Sequence, residues 1–357
     1  MILPNKVYSL DPFPKINNYK NLSFINQINF LTKHHYKNSR NYKKILNFLK
    51  YNLRKNKLED IPFLPVNLFK THKMISVNKK NVFKTLFSSG TSGNDRSKIY
   101  LDKNNAINQV KALSSIMKSI LGPKRLPMLI IDQKPNLDNR NQFNARVAAI
   151  NGFSVFGNNH TYLLNENFEI DYENLKYFMK NYSSKKFFIF GFTSYIFDNL
   201  INKLIMKKNN YNFKNGILLH GGGWKKMEKK KISNEKFKKD LKEKFNFTKI
   251  YNYYGLVEQT GSIFIECKEC SYFKTSIFSD ILIRDKHFNV SKPNTKGLIQ
   301  LFSLLPSSYP GHSILTEDIG QIIEKNDCKA CSNLQGKNFK VYGRVKKSEI
   351  RGCSDVD

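Results

Sequence analysis

Acidic residues are scarce in this chain. Among 357 residues, 28 Asp and Glu stand against 60 Lys and Arg, a formal charge of +32. That deficit excludes an acidic, cation-storing chain and points to polyanionic company: nucleic acid, anionic lipid or nucleotide phosphates. The excess is scattered and comes with abundant Asn, Ile, Phe and Tyr, which reads as a drift of the whole composition. Its densest run, Lys225, Lys226, Lys229, Lys230 and Lys231, reads as a solvated helix face. Long apolar runs are also missing. Nothing approaches the roughly 18 uninterrupted residues of a membrane span, and the opening MILPNKVYSL is too short in apolar length for a signal peptide. The expectation is a cytoplasmic chain with no transmembrane segment, whose five Cys stay reduced unless they bind metal or react. Internal repeats and long linkers are absent too. What is abundant is apolar mass: 40% hydrophobic residues, with 28 Phe and 18 Tyr, more than a disordered chain carries. The length suits one large domain or two ordinary ones.

Residues 1–80 read as mainly helical and polar, with short helices at 18–35 and 40–55 and a break at Pro62 and Pro65. From about residue 83 strands and helices alternate. SKIYL reads as a short strand. Asp102 can cap a helix whose apolar face is Ala106, Ile107, Val110, Leu113, Met117, Ile120 and Leu121. Further strands are expected at 126–132, 185–192, 216–222 and 248–255, with helices at 171–181, 194–208 and 233–245 between them. Such alternation implies an α/β fold with a largely parallel sheet covered by helices. Ligands in such sheets bind at the carboxyl ends of strands, where this chain has its glycine turns. From about residue 262 shorter strands and turns surround the cysteines.

Three motifs carry chemistry. The segment Ser88-Ser89-Gly90-Thr91-Ser92-Gly93, followed by Arg96 and Lys98, combines close backbone approach, hydroxyl donors and positive charge. That suits a polyphosphate, although a Ser/Gly-rich loop is also a common flexible turn. It lacks the Gly-Lys-Ser/Thr ending of a Walker loop. The segment Asn252-Tyr253-Tyr254-Gly255-Leu256-Val257-Glu258 delivers an aromatic face, a tight turn and a carboxylate. A base can stack on the first and Mg²⁺ can bind the last; alone, Tyr-Tyr-Gly is a common strand end. The pairs Cys267-x-x-Cys270 and Cys328-x-x-Cys331 have the spacing of two metal knuckles. Four thiolates leave no open position, so the metal, Zn²⁺, would be structural; four unliganded thiols are the other reading.

The first two motifs, in order with Thr316-Glu317-Asp318 and Gly343-Arg344, resemble the adenylate-forming enzymes. His220-Gly221-Gly222-Gly223-Trp224-Lys225-Lys226, Gly191-Phe192-Thr193-Ser194 and the ending Glu349-Ile350-Arg351-Gly352-Cys353-Ser354 resemble their acyl-protein synthetase (LuxE-like) branch, over about residues 80–357. The resemblance implies an adenylation domain with mostly parallel sheets flanked by helices, a small zinc-bearing subdomain, and no C-terminal mobile domain. It divides the chain into a helical N-terminal extension (1–80), an ATP-binding α/β core (81–262), a β-rich subdomain with the four-cysteine zinc site (263–341) and a short tail (342–357).

By the same resemblance Ser89, Thr91, Ser92 and Lys98 would hold the ATP phosphates. Gly222 and Gly223 would border the adenine, with Tyr254 against its ring. Glu258 would sit at Mg²⁺, and Asp318 at the ribose hydroxyls with Arg344 nearby. Such transfers depend on positioning and charge neutralisation, so the lack of an obvious His base is no obstacle. His220, on a strand entering a glycine turn, reads as structural. Val257 and Glu317 depart from the family's usual Thr and Gly, and Val345-Lys346-Lys347 lacks its hinge Asp. Cys353, flanked by Arg351 and near Lys346, is either the thiol that accepts the acyl group or an inert terminal cysteine. Phe190, Phe192 and Ile196 line an acyl pocket or belong to the core. The implied reaction is a carboxylic acid, a fatty one in view of the resemblance, with ATP giving acyl-AMP and pyrophosphate. The acyl group would then pass to Cys353 or to a partner such as an acyl reductase or acyl-carrier protein. A basic zinc-knuckle nucleic-acid-binding protein is the alternative from charge and cysteines, though no specific nucleic acid is expected because it leaves the first two motifs unexplained. A non-catalytic partner subunit on the same fold is another.

Overall fold

The computed structural model describes residues 5–15, 19–54, 56–88, 96–135, 145–204, 211–224, 230–325 and 327–345. Contacts group the chain into two units that interleave in sequence. One takes Met1–Ser88, Ser92–Ser119 and Gly255–Glu349, and the other takes Ser89–Thr91, Ile120–Tyr254 and Ile350–Asp357.

The first unit opens with helices α1 (Tyr19–Asn38) and α2 (Arg40–Phe48). The helix expected over 40–55 ends early because Leu49 closes it and Lys50 turns to φ 49°. Strand β1 (Leu64–Pro65) and the single turn α3 (Leu68–Thr71) follow, then the hairpin β2 (Lys84–Phe87) and β3 (Lys98–Leu101). Helix α4 (Lys103–Leu121) starts as expected, with the Asp102 carboxylate accepting from the Asn105 N–H at 2.7 Å. Its buried side differs from the apolar stripe, however. Asn105 and Gln109 are buried with Ala112 and Ile116, while Ile107 and Val110 are exposed. Asn105 is drawn inward because its amide donates to the Leu305 carbonyl and its oxygen accepts from the Ser307 and Ser308 N–H groups.

The second unit is a parallel α/β sheet, built from β4 (Leu126–Gln133), α5 (Ala145–Ser154), β5 (Gly157–Leu164), α6 (Tyr172–Tyr182) and β6 (Phe187–Phe192). Next come the short α7 (Thr193–Ile196), which runs into a π-helical stretch Phe197–Leu204, then β7 (Gly216–Gly221), α8 (Asn234–Phe245) and β8 (Lys249–Tyr254). Strand order is β8-β7-β6-β4-β5, all parallel. The strands form because β6 and β7 are buried along their whole length, and unbroken apolar runs are what a sheet covered on both faces requires. The Asp171 and Ser233 side chains cap α6 and α8 by accepting from Asn174 and Lys236 N–H groups. Core side chains include Phe187, Ile189, Leu218, Phe213 and Phe237.

The chain then returns to the first unit as β9 (Phe264–Glu266), β10 (Phe273–Lys274), β11 (Ser279–Arg284), β12 (Gly297–Ser303), β13 (Ser313–Ile323) and β14 (Asn338–Arg344). These pair antiparallel in the order β11-β12-β13-β14-β10-β9, and β1 joins β13 in parallel. β13 is 11 residues long, so this region is more than the short strands expected. Tyr42 and Phe69 from the N-terminal helices share a core with Tyr309 and Ile314.

Candidate functional site

In the second unit the expected nucleotide elements lie at the carboxyl ends of β7 and β8. Gly221 ends β7, Gly222 takes φ 78°, and Gly223 has no described atom within 4 Å of where a Cβ would stand. A Cβ on Gly221 would lie 2.3 Å from the Tyr253 ring, so the strand end and the aromatic that precedes Tyr254 are fitted to each other. Tyr253 is held in turn by Phe153 at 5.0 Å and Phe190 at 6.4 Å. Tyr254 is half-buried. Phe190, Phe192 and Ile196 are buried core residues.

His220 is buried, and its Nδ1 lies 2.9 Å from the Thr193 hydroxyl, which also reaches the Gly221 carbonyl at 3.1 Å. Burial, helped by the Lys238 charge, lowers its pKa to about 3. The imidazole is thus neutral and tied to the glycine turn through Thr193.

In the first unit, β2 and β3 bracket the Ser/Gly segment. The Ser88 N–H donates to the Ser97 carbonyl and the Ser97 N–H to the Ser88 hydroxyl, which closes the stem. Lys98 is the first residue of β3 and is half-buried. Ser89, Thr91 and Ser92 lie outside the described residues, as does Cys353.

Glu258 sits in a 3-10 turn and is 4% exposed. Burial raises its pKa, while the Ser97 hydroxyl and the charges of Arg344 and Lys70 pull it back. The turn is fixed by its neighbours. The Tyr309 hydroxyl donates to the Glu258 carbonyl at 2.8 Å, and the Gln259 amide donates to the Leu301 and Gly311 carbonyls. Asp318 on β13 and Arg344 on β14 are direct cross-strand partners, with Nε 3.9 Å from the carboxylate. Thr316 braces that end of β13. Its hydroxyl donates to the Ile299 carbonyl and accepts from the Asp318 N–H. Val257, Glu258, Asp318 and Arg344 thus all belong to one unit, with the carboxylate of Glu258 within electrostatic reach of Arg344.

The four paired cysteines come together. All four Sγ atoms lie within 4.8 Å of one another, with Cys267 to Cys328 at 3.9 Å and Cys270 to Cys331 at 3.5 Å. Sulfurs at tetrahedral corners about 2.3 Å from one zinc stand about 3.8 Å apart, so the spacing is that of a metal site. Each pair is a tight turn: the Ser271 N–H donates to the Cys267 carbonyl, with Ser271 at φ 60°, and the Ser332 N–H donates to that of Cys328. Buried Lys274 backs the site by donating to the Cys331 and Gly336 carbonyls and the Asn338 side chain. Four cysteines in this arrangement are able to hold a metal ion.

One polar cluster gave no sign in the sequence. Asp132, at the carboxyl end of β4, is 1% exposed, and Arg146, in the first turn of α5, is 6% exposed. Their closest atoms are 3.5 Å apart. The only hint was a carboxylate ending an otherwise apolar strand.

The chain matches the family model "Acyl-protein synthetase, LuxE" over residues 3–357. A curated relative, the long-chain-fatty-acid–luciferin-component ligase of Aliivibrio fischeri, is 24% identical over 316 residues, covering 83% of this chain and 78% of that protein. Among solved structures, 2-hydroxyisobutyryl-CoA ligase in its thioesterification state aligns with a TM-score of 0.72 at 11% identity, over 97% of this chain and 73% of that one. Its open conformation gives 0.70 at 12%, over 92% and 75%. These likenesses establish the fold. Among the described residues no helix is long and apolar enough to cross a membrane. The chain belongs to the LuxE acyl-protein synthetase family and is a ligase on the adenylate-forming fold.

Proposed function

We propose that this protein activates a fatty acid with ATP, forming the acyl-adenylate and pyrophosphate, and then passes the acyl group to a thiol. The observation that carries the reading is Glu258. A carboxyl 4% exposed, within electrostatic reach of Arg344 in the same unit, is costly unless a bound group repays its desolvation. A hard carboxylate oxygen in such a place fits Mg²⁺. Bound beside it, Mg²⁺ would neutralise phosphate charge as pyrophosphate departs.

The chain's own residues bind and orient. Ser89, Thr91, Ser92 and Lys98 hold the ATP phosphates. Gly222 and Gly223 border the adenine, Tyr254 stacks on it, and Asp318 takes the ribose hydroxyls with Arg344 alongside. With the acid carboxylate placed opposite the α-phosphate, attack forms the acyl–phosphate bond and breaks the bond to pyrophosphate. This is chemistry of positioning and charge neutralisation. In the second step a thiolate attacks the acyl carbonyl. The C–S bond forms, the C–O bond to AMP breaks, AMP leaves with the electron pair, and the thiol proton goes to solvent. Cys353 or a thiol of a partner, an acyl reductase or acyl carrier, supplies that sulfur.

Cys267, Cys270, Cys328 and Cys331 bind a structural Zn²⁺, supported by sulfur separations of 3.5 and 3.9 Å across the pairs. The site ties the β9–β10 connection to the β13–β14 connection, next to the strands that carry Asp318 and Arg344.

The test is acid-dependent exchange of labelled pyrophosphate into ATP across fatty, aryl and short acids. Exchange with fatty acids, lost in Lys98→Ala and Glu258→Ala, is expected. No exchange with any acid in folded, metal-loaded protein would refute the reading.

A further inference from the structure

The Asp132–Arg146 pair takes no part in the chemistry above, yet it breaks several rules at once. It is a buried ion pair without a charge-assisted hydrogen bond, since the guanidinium approaches the carboxylate only to 3.5 Å. Burying two charges is unfavourable unless each is fully bonded. Here Asp132 Oδ1 accepts the Gln133 N–H at 2.7 Å, and Arg146 Nη1 donates to the Tyr195 hydroxyl at 2.7 Å. Asp132 Oδ2 and Arg146 Nε are buried with no hydrogen-bond partner among the described residues. The arginine also lies in the first turn of α5, where the helix dipole disfavours a cation and the turn itself holds no acidic residue.

The location is one that parallel sheets favour for ligands. Asp132 ends a parallel strand on its carboxyl side, where such sheets bind ligands. Tyr195 lies in α7, two residues before a π-helical stretch, a local irregularity that recurs at functional sites. The guanidinium is flanked by two aromatic rings, Phe168 at 5.2 Å and Tyr195 at 5.6 Å. Phe168 is 37% exposed, so the cluster lies beneath a ring that itself meets solvent.

The two unmet atoms define the ligand chemistry. Nε–H is a donor and Oδ2 an acceptor. A carboxylate would repel Oδ2, and an ammonium would repel the arginine. A hydroxyl donates with its hydrogen and accepts with its lone pairs, and so serves both. We propose that Asp132 and Arg146 are specificity-determining residues that receive a hydroxyl group on the acyl chain, so that the preferred substrate is a hydroxylated fatty acid. The inference rests on the acyl-activating reading above.

The test compares tetradecanoic acid with its monohydroxy isomers in pyrophosphate exchange, and in equilibrium dialysis of the labelled acids without ATP. The wild type is expected to favour one hydroxy isomer by roughly tenfold or more in kcat/KM, the scale of a buried hydrogen bond to a charged group. In Arg146→Met that ratio falls towards unity. Asp132→Asn, nearly isosteric, provides a second variant should Arg146→Met fail to fold by circular dichroism, and its ratio also falls. A wild type that favours the unsubstituted acid overturns the proposal, because the two atoms then hold only a trapped water. So does a preference that both variants retain. Absence of exchange with every acid removes the adenylation reading, and dialysis still decides the site: a hydroxy isomer held by wild type and released by Arg146→Met upholds it, and equal retention overturns it.

Discussion

Three successive glycines at the end of β7 separate three kinds of cost. A methyl on Gly221 would stand 2.3 Å from Tyr253 Cε1, and the ring has no room to swing because Phe153 and Phe190 hold it. Overpacking of that kind costs about 1–3 kcal/mol. Gly222 has φ 78°, and its added methyl would also meet Phe192 at 3.1 Å. A side chain in left-handed backbone costs about 1–2 kcal/mol. Gly223 has neither problem: its φ lies outside the left-handed range and no described atom is within 4 Å of the methyl. Gly223→Ala therefore leaves stability within about 0.5 kcal/mol of wild type. With adenine against these glycines, the methyl meets the nucleotide instead. The KM for ATP should rise about tenfold, equivalent to about 1.4 kcal/mol, while the KM for the acid and the Tm stay put. Calorimetry and pyrophosphate exchange at varied ATP measure both. A Gly223→Ala protein with the wild-type KM for ATP would refute the placement of adenine at this turn.

Cys270→Ser should lower zinc from about one ion per chain and cost several kcal/mol of stability, since metal affinity is coupled to folding; protein purified under reducing conditions that carries no zinc by elemental analysis would overturn the metal assignment. Buried His220 and His312 have folded pKa values of about 3, below the ordinary 6.5. The unfolded chain therefore binds protons that the folded one refuses, so stability is full above about pH 6.5 and falls as pH drops towards 3, by up to about 1.4 kcal/mol per pH unit per histidine. His312→Gln should flatten the fall of Tm with pH, and parallel curves for variant and wild type would contradict the burial argument. Burial raises the pKa of Glu258, so the unfolded chain gives up this proton more readily than the folded one and the residue's contribution to stability falls as pH rises. Glu258→Gln without Mg²⁺ should gain Tm relative to wild type between acid and neutral pH while exchange falls about 100-fold or more; a variant exchanging at the wild-type rate would remove Glu258 from the reaction.

Much of the parallel sheet was legible because strands covered on both faces must be apolar throughout. LPMLIID and KKFFIFGF are read as strands, and they form β4 and, from Phe187 on, β6. β5 carries Gly157, Asn158, Asn159 and His160, an edge sequence with no such signature, and Gly152 interrupts the helical pattern of α5. α4 misled for a different reason. Its buried side includes Asn105 and Gln109, and the Asn105 amide donates to the Leu305 carbonyl of a loop distant in sequence; hydrophobic periodicity does not register such demands. The interleaving of the two units left no mark either, because a chain that leaves a unit and returns keeps the same composition at each crossing. The cysteine cluster was readable because paired spacing fixes two ligands per turn and leaves the fold only to bring the turns together. The Asp132–Arg146 pair has no such local grammar. Nothing in the sequence says that a carboxylate ending β4 will face an arginine opening α5.

The net charge of +32 is the loudest feature of the composition, and the structure gives reason to discount it as a binding surface. Several cations are consumed inside the fold. Lys274 donates to three oxygens beside the cysteines. Arg284 is buried between Gln300 and the carbonyls of Phe288 and Glu59. Arg146 pairs with Asp132, and Lys238 is buried beside His220. On α8, Lys236 and Lys239 have carboxylate neighbours in Asp240 and Glu243 at i+4. Dispersed lysines of this kind raise the local concentration of anions and quicken encounter, but they select nothing. Selection requires groups that are held: a carboxyl in a turn pinned by Tyr309 and Gln259, a cross-strand Asp–Arg pair, a glycine turn fitted to one tyrosine ring. Those are the features on which the proposed nucleotide site rests, and none of them depends on the sign of the whole chain.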